Sequence, residues 1–177
     1  MKTLILGGVR SGKSRLAEQR ASASGLAVTY VATATAGDEE MQRRIEKHRS
    51  DRPDGWQVIE EPLALADALR GHARADGLIL VDCLTLWLTN LLLDPDPARF
   101  ETERAALLDT LPTLPGELVV VSNETGLGVV PLGELTRRYC DEAGRLHQAL
   151  AQLCDRVVFT VAGLPHFLKG EPWTSTG

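Results

Sequence analysis

Residues 3–14 read TLILGGVRSGKS. The apolar run Leu4-Ile5-Leu6 leads straight into Gly7-Gly8-Val9-Arg10-Ser11-Gly12-Lys13-Ser14, which is G-x-x-x-x-G-K-S after a strand pattern, and a helical pattern runs on from Lys13 to Ser24. Gly7 and Gly12 allow backbone angles and close approaches that a Cβ would block. Successive N–H groups of such a loop point inward and cradle phosphate oxygens. The following helix adds its unpaired N–H groups and positive dipole end. Lys13 places a cation on the outer phosphates, and the Ser14 hydroxyl can bind Mg²⁺. A glycine-rich turn with no ligand is the alternative. Spacing, the Lys-Ser pair and the strand–loop–helix context together point to a nucleotide-binding phosphate loop.

Working outward, 177 residues suffice for one ordinary domain with a full sheet core. Residues 1–170 read as a single nucleotide-binding catalytic domain, and residues 171–177 as a flexible polar tail. Hydrophobic residues make up 44% and charged residues 24%, which suits a soluble globular chain. No apolar run approaches the roughly 18 residues of a membrane span. The amino end enters a strand without a basic, apolar and small-residue signal layout, so a cytoplasmic location is expected. A net charge of −5 argues against broad nucleic-acid binding. Cys83, Cys140 and Cys154 have neither C-x-x-C nor zinc spacing and read as buried free thiols in a reducing compartment.

Strand patterns lie at Leu4–Leu6, Val28–Ala32, Leu78–Asp82, Leu118–Ser122 and Val157–Val161, with a weaker one at Trp56–Ile59. Most are continuous apolar runs, which suits parallel strands covered on both faces. Helical patterns alternate with them at Lys13–Ser24, Asp38–Arg49, Leu63–Ala73, Leu84–Leu92, Ala98–Thr110 and Leu132–Leu153. The alternation predicts an α/β, doubly wound, mostly parallel sheet with helices on both faces. Ligands of such sheets sit beyond the carboxyl ends of the strands. The loops after Leu6, Thr33, Val81 and Val121 should therefore converge on the nucleotide.

Two candidate groups follow. Asp82 ends the run Leu78-Ile79-Leu80-Val81, where a P-loop site needs a carboxylate opposite Ser14 for Mg²⁺ or its water shell; it can equally cap the next helix. His48 closes a helical pattern that shares a face with Met41 and Ile45, inside a cluster of Arg44, Lys47, Arg49 and Arg52. It either finishes the helix as a cation at the negative dipole end or attacks phosphorus as a neutral ring, with cations holding the phosphate. Residue types alone leave both open. His72, His147 and His166 have no metal spacing and read as structural. The stretch Ser122-Asn123-Glu124-Thr125-Gly126 runs from a strand into a polar loop, a candidate for holding a second substrate. Arg137, Arg138 and Arg145 follow on a helix, mostly as a solvated face, with Arg137 or Arg138 able to reach a phosphate.

Together these stretches resemble one family, the bifunctional adenosylcobinamide kinase/adenosylcobinamide-phosphate guanylyltransferases of cobalamin biosynthesis. The matching residues are GGVRSGKS from Gly7, YVAT at Tyr30–Thr33, DEEMQRRIEKHR from Asp38 and R-P-x-x-W at Arg52–Trp56. Further matches are Val81-Asp82-Cys83-Leu84-Thr85, Thr89-Asn90-Leu91-Leu92, SNETGLGVVP from Ser122 and R-x-x-x-D-x-A-G-R from Arg137 to Arg145. The resemblance implies a RecA-like P-loop NTPase fold and a homotrimer. It implies that ATP or GTP phosphorylates adenosylcobinamide, and that GMP from GTP then passes to adenosylcobinamide phosphate through a covalent histidine intermediate, placed on His48. By the same carry-over Gly7, Gly8, Val9, Arg10, Ser11, Gly12, Lys13 and Ser14 hold GTP phosphates, with Thr33, Ala34 and Thr35 nearby. Arg49, Ser50, Asp51 and Arg52 flank the guanylylated histidine. Glu60 or Glu61, with the spacing from Trp56 favouring Glu60, and Asp82 complete the site. Lys47 stands where some relatives carry a second histidine.

Two rival readings make different predictions. A simple P-loop kinase would leave His48 structural and the protein unlabelled by nucleotide. A regulatory GTP switch would need a guanine-reading N-K-x-D motif, which the chain lacks.

Overall fold

The computed structural model describes residues 1–35 and 55–173. The expected helix Asp38–Arg49 and residues 174–177 lie outside the described residues. The strands are β1 Lys2–Gly7, β2 Ala27–Ala32, β3 Gln57–Glu60, β4 Gly77–Asp82, β5 Glu117–Asn123, β6 Arg156–Val161 and β7 Leu164–Lys169. The helices are α1 Lys13–Ala23, α2 Leu65–His72, α3 Leu84–Leu93, α4 Arg99–Thr110 and α5 Glu134–Leu153. Among the described residues, seven strands form one sheet in the order β3-β2-β4-β5-β1-β6-β7. Every pair is parallel except β6 and β7.

The apolar runs become central strands because both of their faces are covered. Alternate residues of β1, β4 and β5 enter different cores. Ile5, Leu78, Leu80, Val119 and Val121 join Ala17 and Ala21 of α1 on one face. Leu4, Leu6, Ile79, Val81, Leu118 and Val120 meet α2, α3, α4 and α5 on the other. Small residues at the contact surface of α1 let it lie close to the sheet, bringing its amino end over the top of β1. The α3 sequence, LTLWLTNLLL, is apolar around most of its circumference and buries Leu84, Trp87, Leu88 and Leu91.

Local chemistry explains the boundaries. Glu61 Oε1 accepts the backbone N–H groups of Leu63 (2.9 Å) and Ala64 (2.8 Å), so a carboxylate covers the start of α2. In the Asp94–Pro97 turn, Asp94 Oδ1 accepts the N–H of Asp96 and Asp96 Oδ1 that of Ala98, which launches α4.

One element was not anticipated. β7, LPHFLK, is an exposed antiparallel edge strand. Its pattern lacks a buried stripe, and Pro165 is tolerable only because an edge strand need not donate from every N–H. The two-residue turn Ala162-Gly163 has positive φ at both positions (52° and 79°), as a tight hairpin requires. Beyond it, Arg156 Nε donates to the Glu171 carbonyl, and Trp173 packs edge-on against Phe167.

Trp87 is fully buried, and its Nε1–H donates to the Leu63 carbonyl at 2.7 Å. Trp87→Ala should therefore lower unfolding free energy by about 3–5 kcal/mol, read as a fall in the urea midpoint.

Candidate active site

The phosphate loop leaves β1 at Gly7, in the middle of the sheet. A Cβ on Gly7 would strike the Ser11 hydroxyl and come within 2.6 Å of the Thr160 carbonyl, so space rather than φ demands glycine there. Gly12 has φ +94°, and a Cβ on it would approach Gly163 Cα to 3.1 Å. The β6–β7 hairpin braces the loop directly, with Gly163 N–H donating to the Ser11 carbonyl at 2.9 Å. On the other flank the Glu124 N–H donates to the Gly7 carbonyl at 3.0 Å. Val9 and Arg10 are exposed, while Ser11 and Lys13 are buried.

Lys13 Nζ donates to the Gly8 carbonyl at 3.2 Å, folding the ammonium back over the loop. Burial lowers its pKa, opposed by the Asp82 carboxylate. Asp82 ends β4 beside β2, and β5 separates it from the phosphate-loop strand. The Cys83 thiol beside it is pushed up to about 11 by burial and then by Asp82, so it stays neutral. Among the cysteines Cys154 is fully buried, while Cys83 and Cys140 are partly so, and all three are free.

The structure places the phosphate loop, Asp82 and Thr33 at the carboxyl ends of β1, β4 and β2, on one edge of the sheet with β5 between β1 and β4. It also shows what some of these groups are tied to. Thr33 is completely buried, and its hydroxyl donates to the Cys83 carbonyl (2.6 Å) and accepts the Cys83 N–H (3.1 Å). Thr33 thus latches β2 to β4. Ala34 is half-buried and Thr35 exposed, with Asn90 Nδ2 donating to the Thr33 carbonyl at 2.8 Å. Glu60 ends β3 on the exposed side, whereas Glu61 covers the start of α2. His48, Arg49, Ser50, Asp51 and Arg52 lie outside the described residues. No group of three or more His, Cys, Asp or Glu among the described residues can hold a metal by itself.

A second polar cluster lies across the sheet from α1. His147 of α5 is buried, with Nε2 2.8 Å from Ser122 Oγ and Nδ1 3.6 Å from Glu124 Oε2. Burial lowers the imidazole pKa, opposed by Glu124. Spacing gave no partner for His147, because its neighbours, Ser122 on β5 and Glu124 just past that strand, lie more than twenty residues away in the chain. Beyond Glu124, a cavity of about 380 Å³ opens between the loop after β5 and α5, lined by Thr125, Gly126, Val130, Arg137, Cys140 and Arg145 among others.

A lysine-bearing phosphate loop at the end of a central strand, with a carboxylate ending a strand two places away, defines a P-loop NTPase of the RecA-like kind. Solved structures share the fold. The type III secretion ATPase EscN of enteropathogenic E. coli superposes with TM-score 0.56 at 12% identity, over 91% of this chain and 43% of that one. The RadB recombinase gives 0.50 at 16%, over 89% and 73%. More narrowly, the chain belongs to the cobinamide kinase / cobinamide phosphate guanyltransferase family, whose model matches residues 3–168. It is 68% identical to the bifunctional adenosylcobalamin biosynthesis protein CobP of Pseudomonas aeruginosa, over 97% of this chain and 99% of that protein. It is 36% identical to the bifunctional adenosylcobalamin biosynthesis protein CobU of Escherichia coli, over 93% and 97%.

Two outcomes follow from this geometry. Gly12→Ala forces a Cβ into a left-handed residue against the hairpin and should weaken nucleoside triphosphate binding by about tenfold or more in a calorimetric titration. His147 has an ordinary value of 6.5 and a lower one when folded, so the unfolded chain takes up the proton first. Stability should be complete above pH 6.5 and fall as pH drops below it, by at most about 1.4 kcal/mol per pH unit from this group, levelling off below the folded value. His147→Gln should flatten that part of the profile in urea unfolding measured across pH.

Proposed function

We propose that this protein phosphorylates adenosylcobinamide with ATP or GTP and then transfers GMP from GTP to adenosylcobinamide phosphate, giving adenosylcobinamide-GDP and pyrophosphate. The observation that carries the reading is the braced phosphate loop with its buried Lys13, in a chain whose family model spans residues 3–168 and whose near relatives carry bifunctional names. A loop of this geometry holds a triphosphate through backbone N–H groups and one cation, as either step needs. In the kinase step the substrate hydroxyl attacks the terminal phosphorus and the nucleoside diphosphate leaves.

In the second step the His48 ring attacks the α-phosphorus of GTP, and pyrophosphate departs. The phosphate of adenosylcobinamide phosphate then displaces histidine from that phosphorus. Splitting the transfer in two replaces one difficult displacement with two easier ones. Gly7 to Ser14 bind the nucleotide phosphates, with Thr33 to Thr35 beside them; the latching role of the Thr33 hydroxyl leaves its neighbours Ala34 and Thr35 as the closer contacts. Arg49 to Arg52 flank His48, and Glu60 completes the nucleotide site. Ser14 and Asp82 offer one hydroxyl and one carboxylate, which suits Mg²⁺, an ion that keeps most of its waters and shares phosphate oxygens. Bound there, it would neutralise charge on the phosphates.

The protein works as a homotrimer in the cytoplasm on this reading. Leu127, Val129, Val130, Leu132 and Leu135 are all exposed around one loop, which supports self-association. No helix among the described residues is long and apolar enough to cross a membrane.

The test is to incubate the protein with Mg²⁺ and GTP labelled on the α-phosphorus. The chain should take up label that is acid-labile and base-stable, and His48→Ala should abolish it while cobinamide phosphorylation stays measurable. Wild-type protein that never takes up label would overturn the histidine intermediate and leave only a kinase.

A further inference from the structure

The donor side and the cavity side of the site meet at Glu124. Its backbone N–H is fixed to the first residue of the phosphate loop, donating to the Gly7 carbonyl at 3.0 Å. The two residues that follow it, Thr125 and Gly126, line the cavity between the loop after β5 and α5. Arg137 and Arg145 supply positive charge to the same cavity, which suits an acceptor that leaves carrying a phosphate. The carboxylate itself is held on two sides. Oε1 accepts the Gly126 N–H at 2.6 Å, and Oε2 faces His147 Nδ1 at 3.6 Å. Its side chain is 21% exposed, so it is neither sealed in the core nor loose on the surface.

Other carboxylates at this end of the sheet have different surroundings. Asp82 lies near Lys13, and Glu61 covers the start of α2. Asp141 reaches the cavity from α5 and is exposed. Glu60 ends β3, with β2, β4 and β5 between it and β1. The His147 ring beside Glu124 is kept neutral by burial, so the carboxylate faces an uncharged partner. His147 Nδ1 has no hydrogen-bond partner among the described residues. In the tautomer protonated on Nδ1, with the Ser122 hydroxyl donating to Nε2, the ring can turn its N–H toward Glu124 when that carboxylate shifts.

We propose that Glu124 is the general base of the kinase step, fixed to the phosphate loop by its backbone bond to Gly7 and at its carboxylate by the Gly126 N–H, with His147 beside it. This rests on the kinase reading given above and names the group that activates its acceptor. Glu124 Oε2 takes the proton of the acceptor hydroxyl as that oxygen bonds to the terminal phosphorus of the nucleotide. The bond from this phosphorus to its bridging oxygen breaks, and its electron pair leaves on the nucleoside diphosphate. The Glu124 carboxyl then releases the proton to solvent. His147 is a positioning residue, acting only through Glu124.

The experiment compares two activities of one full-length protein: phosphorylation of adenosylcobinamide, and uptake of label from GTP marked on the α-phosphorus. Glu124→Gln keeps the size of the side chain and its acceptor for Gly126. It should lower kcat for phosphorylation by about 100-fold or more, with far smaller changes in nucleotide KM and in label uptake. In Glu124→Ala, added formate should restore part of the lost kcat, because a small carboxylate can occupy the vacated space. A structural role would not respond to formate. Wild-type kinase rates in Glu124→Gln, or kinase turnover, label uptake and nucleotide affinity falling in step, would overturn the assignment. If the wild type does not phosphorylate adenosylcobinamide at all, the kinase reading fails instead, and the base falls with it.

Discussion

The loop between β1 and α1 must present several backbone N–H groups to one anion, and a backbone can do that only if it is held still. The structure holds it from three directions. Glu124 of the neighbouring loop donates to the Gly7 carbonyl, Gly163 of the β6–β7 hairpin donates to the Ser11 carbonyl, and Lys13 folds over to the Gly8 carbonyl. β1 provides the rigid base. Leu4 and Ile5 are fully buried, and both neighbouring strands run parallel to it. Gly7, where a Cβ would meet the Ser11 hydroxyl, and Gly12, with φ +94° and Gly163 Cα 3.1 Å from its Cβ position, sit where these braces close on the loop. Preorganisation of this kind means the amides need not be reoriented when the phosphates arrive.

Parallel pairing then sorts the chemistry between the two faces. Residues alternate along each strand, so β5 sends Val119 and Val121 toward α1 and sends Leu118, Val120 and the buried Ser122 toward the other layer. Lys13 belongs to the α1 side. His147 and the cavity belong to the α5 side. Glu124 lies past the strand end, where the division no longer applies, and it connects the phosphate loop by its backbone to α5 by its side chain. Thr33 performs a similar joining role between β2 and β4 through the Cys83 backbone.

Much of the architecture was legible from residue types. The runs LIL, VTYVA, LILVD and LVVVS could satisfy their backbones and bury both faces only as interior parallel strands, and they do, while VVFTV is parallel to β1 on one side and antiparallel to β7 on the other. The phosphate loop was legible because its spacing encodes backbone geometry, and only glycine tolerates that geometry at Gly12. Boundaries shifted by a residue or two where side-chain caps outside the apolar pattern decide them. Glu61 and Asp96 set the starts of α2 and α4 in that way. β7 escaped notice because an exposed edge strand buries too little on either face to leave a periodic signal.

By itself the sequence determined the fold class, the phosphate loop, the end-of-strand position of Asp82 and, through its resemblance across most of the chain, the family. Those features are written in short local patterns: period, glycine placement and motif spacing. Tertiary structure alone decided what each group is tied to. It made Thr33 a latch, gave the bracing of the phosphate loop to a hairpin more than a hundred residues away, and surrounded His147 with Ser122 and Glu124. Contacts between segments distant in the chain depend on how strands are ordered in the sheet, and strand order leaves no mark in any local pattern.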